Sequence, residues 1–156
     1  MHERLPNEQR IADFERECRS RGLSLTVQRR VILAELLERR DHPTADQIYE
    51  AVRDRLPSLS RTTVYRVLET LVEVGAALKV HHSDAVARFD PVTERHHHLI
   101  CQACERLIDV DDSIVPRVAT PDAAEAGFTI LNYSITFTGI CAQCQQPDKR
   151  RRWQKN

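Results

Sequence analysis

Glycine is scarce in this chain. Four glycines and seven prolines in 156 residues are too few for a fibrous or disordered protein, and there is no internal repeat or low-complexity segment. No stretch approaches the roughly 20 consecutive apolar residues that a membrane-spanning helix needs. The opening "MHERLPNEQRIADF" is charged from the start and holds no apolar run. It therefore predicts neither a signal peptide nor a membrane anchor, and a cytoplasmic protein. There is no HExxH motif, no serine-centred elbow and no glycine-rich phosphate loop, so the chain is not expected to be an enzyme. A surplus of one charge is also missing. Lysine and arginine number 23, aspartate and glutamate 23, and the formal net charge is zero. That total gives no general electrostatic case for nucleic acid.

What is present is unevenly placed. Residues 1–90 carry 15 basic and 15 acidic side chains, residues 91–145 carry 3 and 7, and the tail from 146 carries 5 and 1. Arg19, Arg21, Arg29 and Arg30 form a run without an acid, so any DNA contact must depend on fold and local placement. The 41% hydrophobic content supports a packed core, in one ordinary domain or two small ones.

From about residue 8 to 75, apolar spacing predicts four helices. The first, about 8–20, has Ile11, Phe14 and Cys18 on one stripe and is closed by Gly22; Cys18 reads as a small core residue. The second follows Thr26, with Val31, Leu33, Ala34, Leu36 and Leu37 as its apolar face, and stops before Pro43. Thr44 and Gln47 form a capping box at the third. Ser60 caps the fourth, which ends at Gly75. Val64, Val67, Leu68 and Leu71 face inward there, leaving Arg61, Thr62, Tyr65 and Arg66 outward near its start. "ALKVHHSDAVARFD" then alternates around a polar turn, as a two-stranded hairpin does. This order is that of a winged helix, whose recognition helix offers its first residues to the major groove. A three-helix core with a solvated polar face is the plainer alternative.

Beyond Pro91 the residues favour strands: "HHHLIC", "ERLIDV" and "FTILNYSITFTGIC", with a helix expected at about 112–126. The whole is an α+β chain, and "KRRRWQKN" reads as a basic tail. Cys101-Gln-Ala-Cys104 and Cys141-Ala-Gln-Cys144 are two CxxC knuckles separated by 36 residues. Two knuckles complete a tetrahedral, structural Zn²⁺ site; a thioredoxin-like pair needs only one, at a helix start. In an extended strand, residues i and i+2 share a face, so His96 and His98 can grip one ion while His97 looks away. Asp109 interrupts an apolar run, and Asp90 ends the hairpin. Spacing leaves open which distant residue joins them. His42, beside Pro43, reads by itself as a charge at a helix C-terminus.

"LTVQRRVIL", "HPTADQIYEAV", "SRTTVYRVLETL", "RFD", "HHHLIC" and "CQAC…CAQC" together resemble the ferric uptake regulator family of metal-dependent repressors. The resemblance runs over about residues 20–145, in the family's order. It implies a winged helix-turn-helix DNA-binding domain over 1–90, a hinge at 91–95 and a small α+β dimerisation domain over 96–156. It also implies a homodimer on palindromic double-stranded operator DNA, with no membrane partner. Carried over, structural zinc falls on Cys101, Cys104, Cys141 and Cys144. A regulatory Fe²⁺ or Mn²⁺ falls on His42, Asp90, His96, His98 and Asp109, and closes the two domains at one angle. Arg61, Thr62, Tyr65 and Arg66, with Arg19 and Arg21, are the DNA-binding candidates.

Within the family, Asp109 stands where iron-responsive members usually carry Glu, and the hairpin ends in "RFD" instead of "FE". Both resemble the peroxide-sensing branch, in which Fe²⁺ reacts with hydrogen peroxide, a ligand histidine is oxidised and DNA is released. Arg66 in "VYRVL" resembles the iron-responsive branch instead. Val115 and Tyr133 occupy positions where some iron-responsive members supply a Glu and a His to an additional metal site. The expectation is a peroxide-sensing repressor. An iron-responsive repressor, a zinc or other metal regulator and, last, a zinc-containing redox enzyme are the alternatives.

Overall fold

Hydroxyl side chains open three of the four helices. In the computed structural model, which describes residues 5–80, 86–119, 121, 123 and 125–146, the chain forms two compact units, Met1–Thr93 and Glu94–Asn156. The hairpin's polar turn and the basic tail lie outside the described residues.

In the first unit, α1 spans Asn7–Ser20, α2 Val27–Glu38, α3 Ala45–Val52 and α4 Arg61–Glu73. Thr26 Oγ1 accepts from the Arg29 N–H and Ser60 Oγ from the Thr63 N–H. Thr44 and Gln47 complete their capping box in both directions, meeting two N–H groups that the helix cannot satisfy itself. α1 and α4 both end where glycine takes a left-handed φ, Gly22 at 68° and Gly75 at 77°. At each end the next amide reaches back one turn, Leu23 N–H to Cys18 O and Ala76 N–H to Leu71 O. Any other residue would be strained in that conformation.

The apolar faces meet in one cluster of Phe14, Cys18, Ile32, Leu33, Leu36, Ile48, Val64, Leu68, Leu71, Phe89 and their neighbours. Ile32, absent from the expected face of α2, is fully buried, whereas Val31 and Ala34 are half-buried. β1 (Leu78–Val80) and β2 (Arg88–Asp90) pair antiparallel, Lys79 opposite Phe89. Phe89 thereby closes the core under the helices.

The second unit is built around β3, His96–Cys101. It pairs antiparallel with β4, Leu107–Asp111, and parallel with β5, Thr136–Gly139, in the order β4-β3-β5. The helix expected at about 112–126 is not found among the described residues. Asp112–Ile114 make a single 3-10 turn, and the described residues beyond it are irregular. Pro116 and Pro121 account for this, since each removes an N–H and crowds the preceding turn. The long strand expected over 128–141 also shortens to Thr136–Gly139. The Ile135 N–H donates to the His97 ring instead of extending the ladder.

Leu68→Ala, which empties a fully buried position, is expected to destabilise the first unit by about 2–5 kcal/mol. Chemical denaturation followed by far-ultraviolet circular dichroism measures it; a loss below about 1 kcal/mol would contradict this packing.

Candidate metal centres

The two cysteine knuckles meet because β3 ends in the first and β5 runs into the second. The Cys101 N–H bonds to Arg106 O across the first turn, and the Gln102 N–H bonds to Gly139 O beside the second. One donor atom from each of Cys101, Cys104, Cys141 and Cys144 lies within 4.8 Å of every other. The Cys104 and Cys141 sulfurs are 3.7 Å apart. Sulfurs about 2.3 Å from a tetrahedral zinc ion stand about 3.8 Å from one another, so the residues fit that ion. Burial pushes the Cys101 thiol up, but backbone N–H groups of Cys141, Ala103 and Cys104 outweigh it and bring the pKa to about 6. The Cys141 N–H lies 3.3 Å from that sulfur. Cys144 moves the other way, to about 12, through burial first and then its neighbouring thiols. One thiolate is prepared in advance, and cation binding must displace further protons.

On the other side of β3 the expected alternation holds. His96 and His98 share a face, with Nε2 atoms 3.0 Å apart and rings edge to face. His96 Nδ1 lies 2.8 Å from Glu94 O. A carbonyl can only accept, so Nδ1 carries the proton and Nε2 offers its lone pair. Asp109 pairs with His98 across the ladder, and its Oδ1 stands 3.6 Å from His96 Nε2. Two nitrogens at about 2.1 Å from an ion, at right angles, are about 3.0 Å apart. The pair thus fits an edge of an octahedral donor set.

His97 points away, as alternation requires, yet is not idle. Its Nδ1 accepts from the Ile135 N–H at 3.1 Å, and its Nε2 lies 3.1 Å from Asp112 Oδ1. Its ring stacks on Tyr133, and Arg95 joins Asp112 and lies over the same tyrosine. Sequence reasoning missed this cluster, because nothing in the spacing links Arg95, Asp112 and Tyr133.

The first unit holds a second pair. α2 ends at Glu38 with Arg39 as its cap, so His42 lies beyond the helix terminus and is not the C-terminal charge its position first suggests. Its φ is 49°, a left-handed conformation costing roughly 1–3 kcal/mol outside glycine. The surroundings impose it. Arg88 Nη1 donates to His42 O at 3.1 Å and the Phe89 N–H to Pro43 O at 2.9 Å. Thr44 bridges to Arg88 as a short third strand beside β2. His42 Nε2 then sits 3.3 Å from Asp90 Oδ2, while Asp90 Oδ1 accepts from the Val92 N–H at 2.8 Å. Both side chains are buried. The signal that could have flagged the brace is Arg88, immediately before the "FD" of the hairpin.

The sequence model of the ferric uptake regulator family matches residues 20–138. The chain belongs to that family. It is 34% identical over 127 residues to the peroxide operon regulator of Bacillus subtilis, covering 81% of this chain and 88% of that one. It is 30% identical over 138 residues to the peroxide-responsive repressor PerR of Staphylococcus saprophyticus, covering 88% and 93%. The ferric uptake regulator Fur of Helicobacter pylori, described as having three functional metal binding sites, superposes with a TM-score of 0.75 at 19% identity, over 95% of this chain and 99% of that one. The fold is therefore that of the family, α+β, with an N-terminal winged helix-turn-helix and a smaller α+β unit.

The family's winged-helix order gives α4 its outward face, and Arg61, Thr62, Tyr65 and Arg66 are all exposed there. Tyr65 accepts from Lys79 of β1, and Arg61 is held by α3 carboxylates. Arg66 has no ion pair among the described residues. Arg19 bonds to Glu15, and Arg21 to Glu17 and Glu73 O, so both arginines brace α1. No helix among the described residues is long and apolar enough to cross a membrane.

Because Cys101 loses its proton at about pH 6, zinc affinity should fall as pH falls. It should fall more steeply once pH drops through that value, where this proton must also be displaced. Competition with a chromophoric chelator across that range tests this. A slope that does not change near pH 6 would contradict a preformed Cys101 thiolate.

Proposed function

We propose that this protein is a metal-dependent transcriptional repressor that senses peroxide through oxidation of histidine ligands. Cys101, Cys104, Cys141 and Cys144 hold structural Zn²⁺. His42, Asp90, His96, His98 and Asp109 serve one regulatory Fe²⁺ or Mn²⁺. Residues 1–90 act as the DNA-binding domain, 91–95 as a hinge and 96–156 as the dimerisation domain. The protein is cytoplasmic, not an enzyme, and binds palindromic double-stranded DNA as a homodimer.

The observation that carries this reading is the donor chemistry. Three imidazoles and two carboxylates, with no sulfur, suit Fe²⁺ or Mn²⁺. His96 Nε2 is turned outward by the Glu94 carbonyl, and His42 is kept in a strained backbone conformation beside Asp90. Bound Fe²⁺ supplies the chemistry that activates hydrogen peroxide; the chain supplies the imidazoles that are oxidised. Its relatives' names, peroxide operon regulator and peroxide-responsive repressor, favour this over iron-responsive repression.

The dimer reading rests on the opposite face of the same sheet. Leu99 of β3 stands opposite Ile108 of β4 and Phe137 of β5. The three are 40%, 42% and 39% exposed, a continuous apolar row of the kind that another copy covers. Leu99→Asp would place an unpaired charge in that row and should weaken the dimer by at least about 100-fold. Sedimentation at graded concentrations measures this, and an unchanged dimer would refute the assignment of this face.

Two further outcomes are expected. His42→Ala should remove Mn²⁺-dependent binding to inverted-repeat DNA while leaving the zinc content intact. Loss of a ligand should exceed the roughly 10–100-fold effect of losing an outer partner. Anaerobic loading with Fe²⁺ and a low dose of peroxide should add oxygen to His42, His96 or His98, read by peptide mass spectrometry. The Mn²⁺-loaded protein should gain none. Absence of added oxygen with Fe²⁺ would leave a sensor of metal supply, not of oxidant.

A further inference from the structure

Arg61 occupies the first turn of α4, where the helix dipole disfavours a cation. No acidic residue of that turn offsets it. Its partners come from α3: Nη1 bonds to Asp46 Oδ1 at 2.8 Å and Nη2 to Glu50 Oε1 at 2.7 Å. The guanidinium lies 4.3 Å over the Tyr49 ring. Two carboxylate oxygens thus meet it as the oxygens of a phosphodiester would. The pairs are open to water, with Arg61 56% and Asp46 72% exposed, and exposed ion pairs are weak.

Neither carboxylate depends on Arg61. Asp46 lies in the first turn of α3, where the dipole favours an anion. Glu50 Oε2 also pairs with Arg53 at 2.8 Å. Release of the guanidinium therefore leaves no uncompensated charge. An open groove of about 690 Å³, lined by Arg39, Asp46, Gln47, Glu50, Ala51 and Arg61, adjoins it.

We propose that Arg61 is a latched phosphate ligand, held by Asp46 and Glu50 without DNA and passed to a backbone phosphate on binding, which leaves Arg66 and Thr62 to face the bases. The proposal rests on the repressor reading above. The latch makes sequence-independent binding weaker than the number of arginines would give, because each encounter must exchange intramolecular pairs for an intermolecular one.

The test uses the full-length zinc-loaded protein with Mn²⁺ and a fluorescein-labelled duplex of random sequence, read by anisotropy over a salt series. Zinc content and thermal melting verify that each variant is folded. Arg61→Gln should lower the slope of log affinity against log salt by about 1. Asp46→Asn with Glu50→Gln should tighten binding about three- to tenfold. In the Arg61→Gln background that tightening should shrink below about twofold, because the latch then holds nothing. Equal tightening in both backgrounds would mean that the carboxylates act only through their general field, and would overturn the latch alone. No binding by the unsubstituted protein even at low salt would overturn the repressor reading, and the latch with it.

Discussion

Side chains alternate across a strand, and in β3 both faces and one end are committed to different tasks. His96 and His98 turn one way and bring their ring nitrogens to 3.0 Å. Leu99 turns the other way, into an exposed apolar row with Ile108 and Phe137, and His97 packs on that side against Tyr133. The strand's last residue is Cys101, whose sulfur accepts an N–H from the second knuckle. A one-residue slip in register would turn the two imidazoles into the apolar row and Leu99 onto the face that carries the histidine pair and Asp109. Zinc held by the two knuckles would therefore do more than contribute folding free energy: it would pin the end of the strand whose register sets the histidine pair.

In the first unit the comparable constraint is on backbone. A left-handed His42 followed by proline is a costly stretch of chain, and it persists because β2 holds it through Arg88 and Phe89. The same two contacts fix the approach of Asp90. The result is a buried imidazole held in a strained backbone conformation beside a buried carboxylate.

Charge follows a similar logic. The zero net total conceals a first unit in which most arginines are already engaged. Arg16, Arg19, Arg21, Arg39, Arg53, Arg55 and Arg61 all have carboxylate partners. On the exposed face of α4 Arg61 is paired in this way, whereas Arg66, like Arg29 of α2, is left without a carboxylate partner among the described residues. Counting charges could not reveal this, since pairing depends on which helix faces bring acids and bases together.

Local signals were enough for much of the architecture. Thr26, Thr44 and Ser60 mark helix starts, Gly22 and Gly75 mark ends, and the apolar spacing of α4 separates its buried side from its exposed one, because capping and periodicity act within a few residues. The paired knuckles marked four cysteines that the fold brings together as a candidate zinc site, and period two divided His96 and His98 from His97. Other features were decided only by tertiary structure. Pro116 and Pro121 were visible, yet the strand-like residues 128–135 stay outside the ladder, and at Ile135 the N–H goes to the His97 ring instead. The brace on His42 and the fork on Arg61 arise from partners 46 and 11 to 15 positions away, and the burial of Ile32 from the cluster of all four helices, so each depends on how the helices and strands pack. Sequence determined which groups could serve; packing decided which of them meet, because contact between distant residues exists only once the chain has folded.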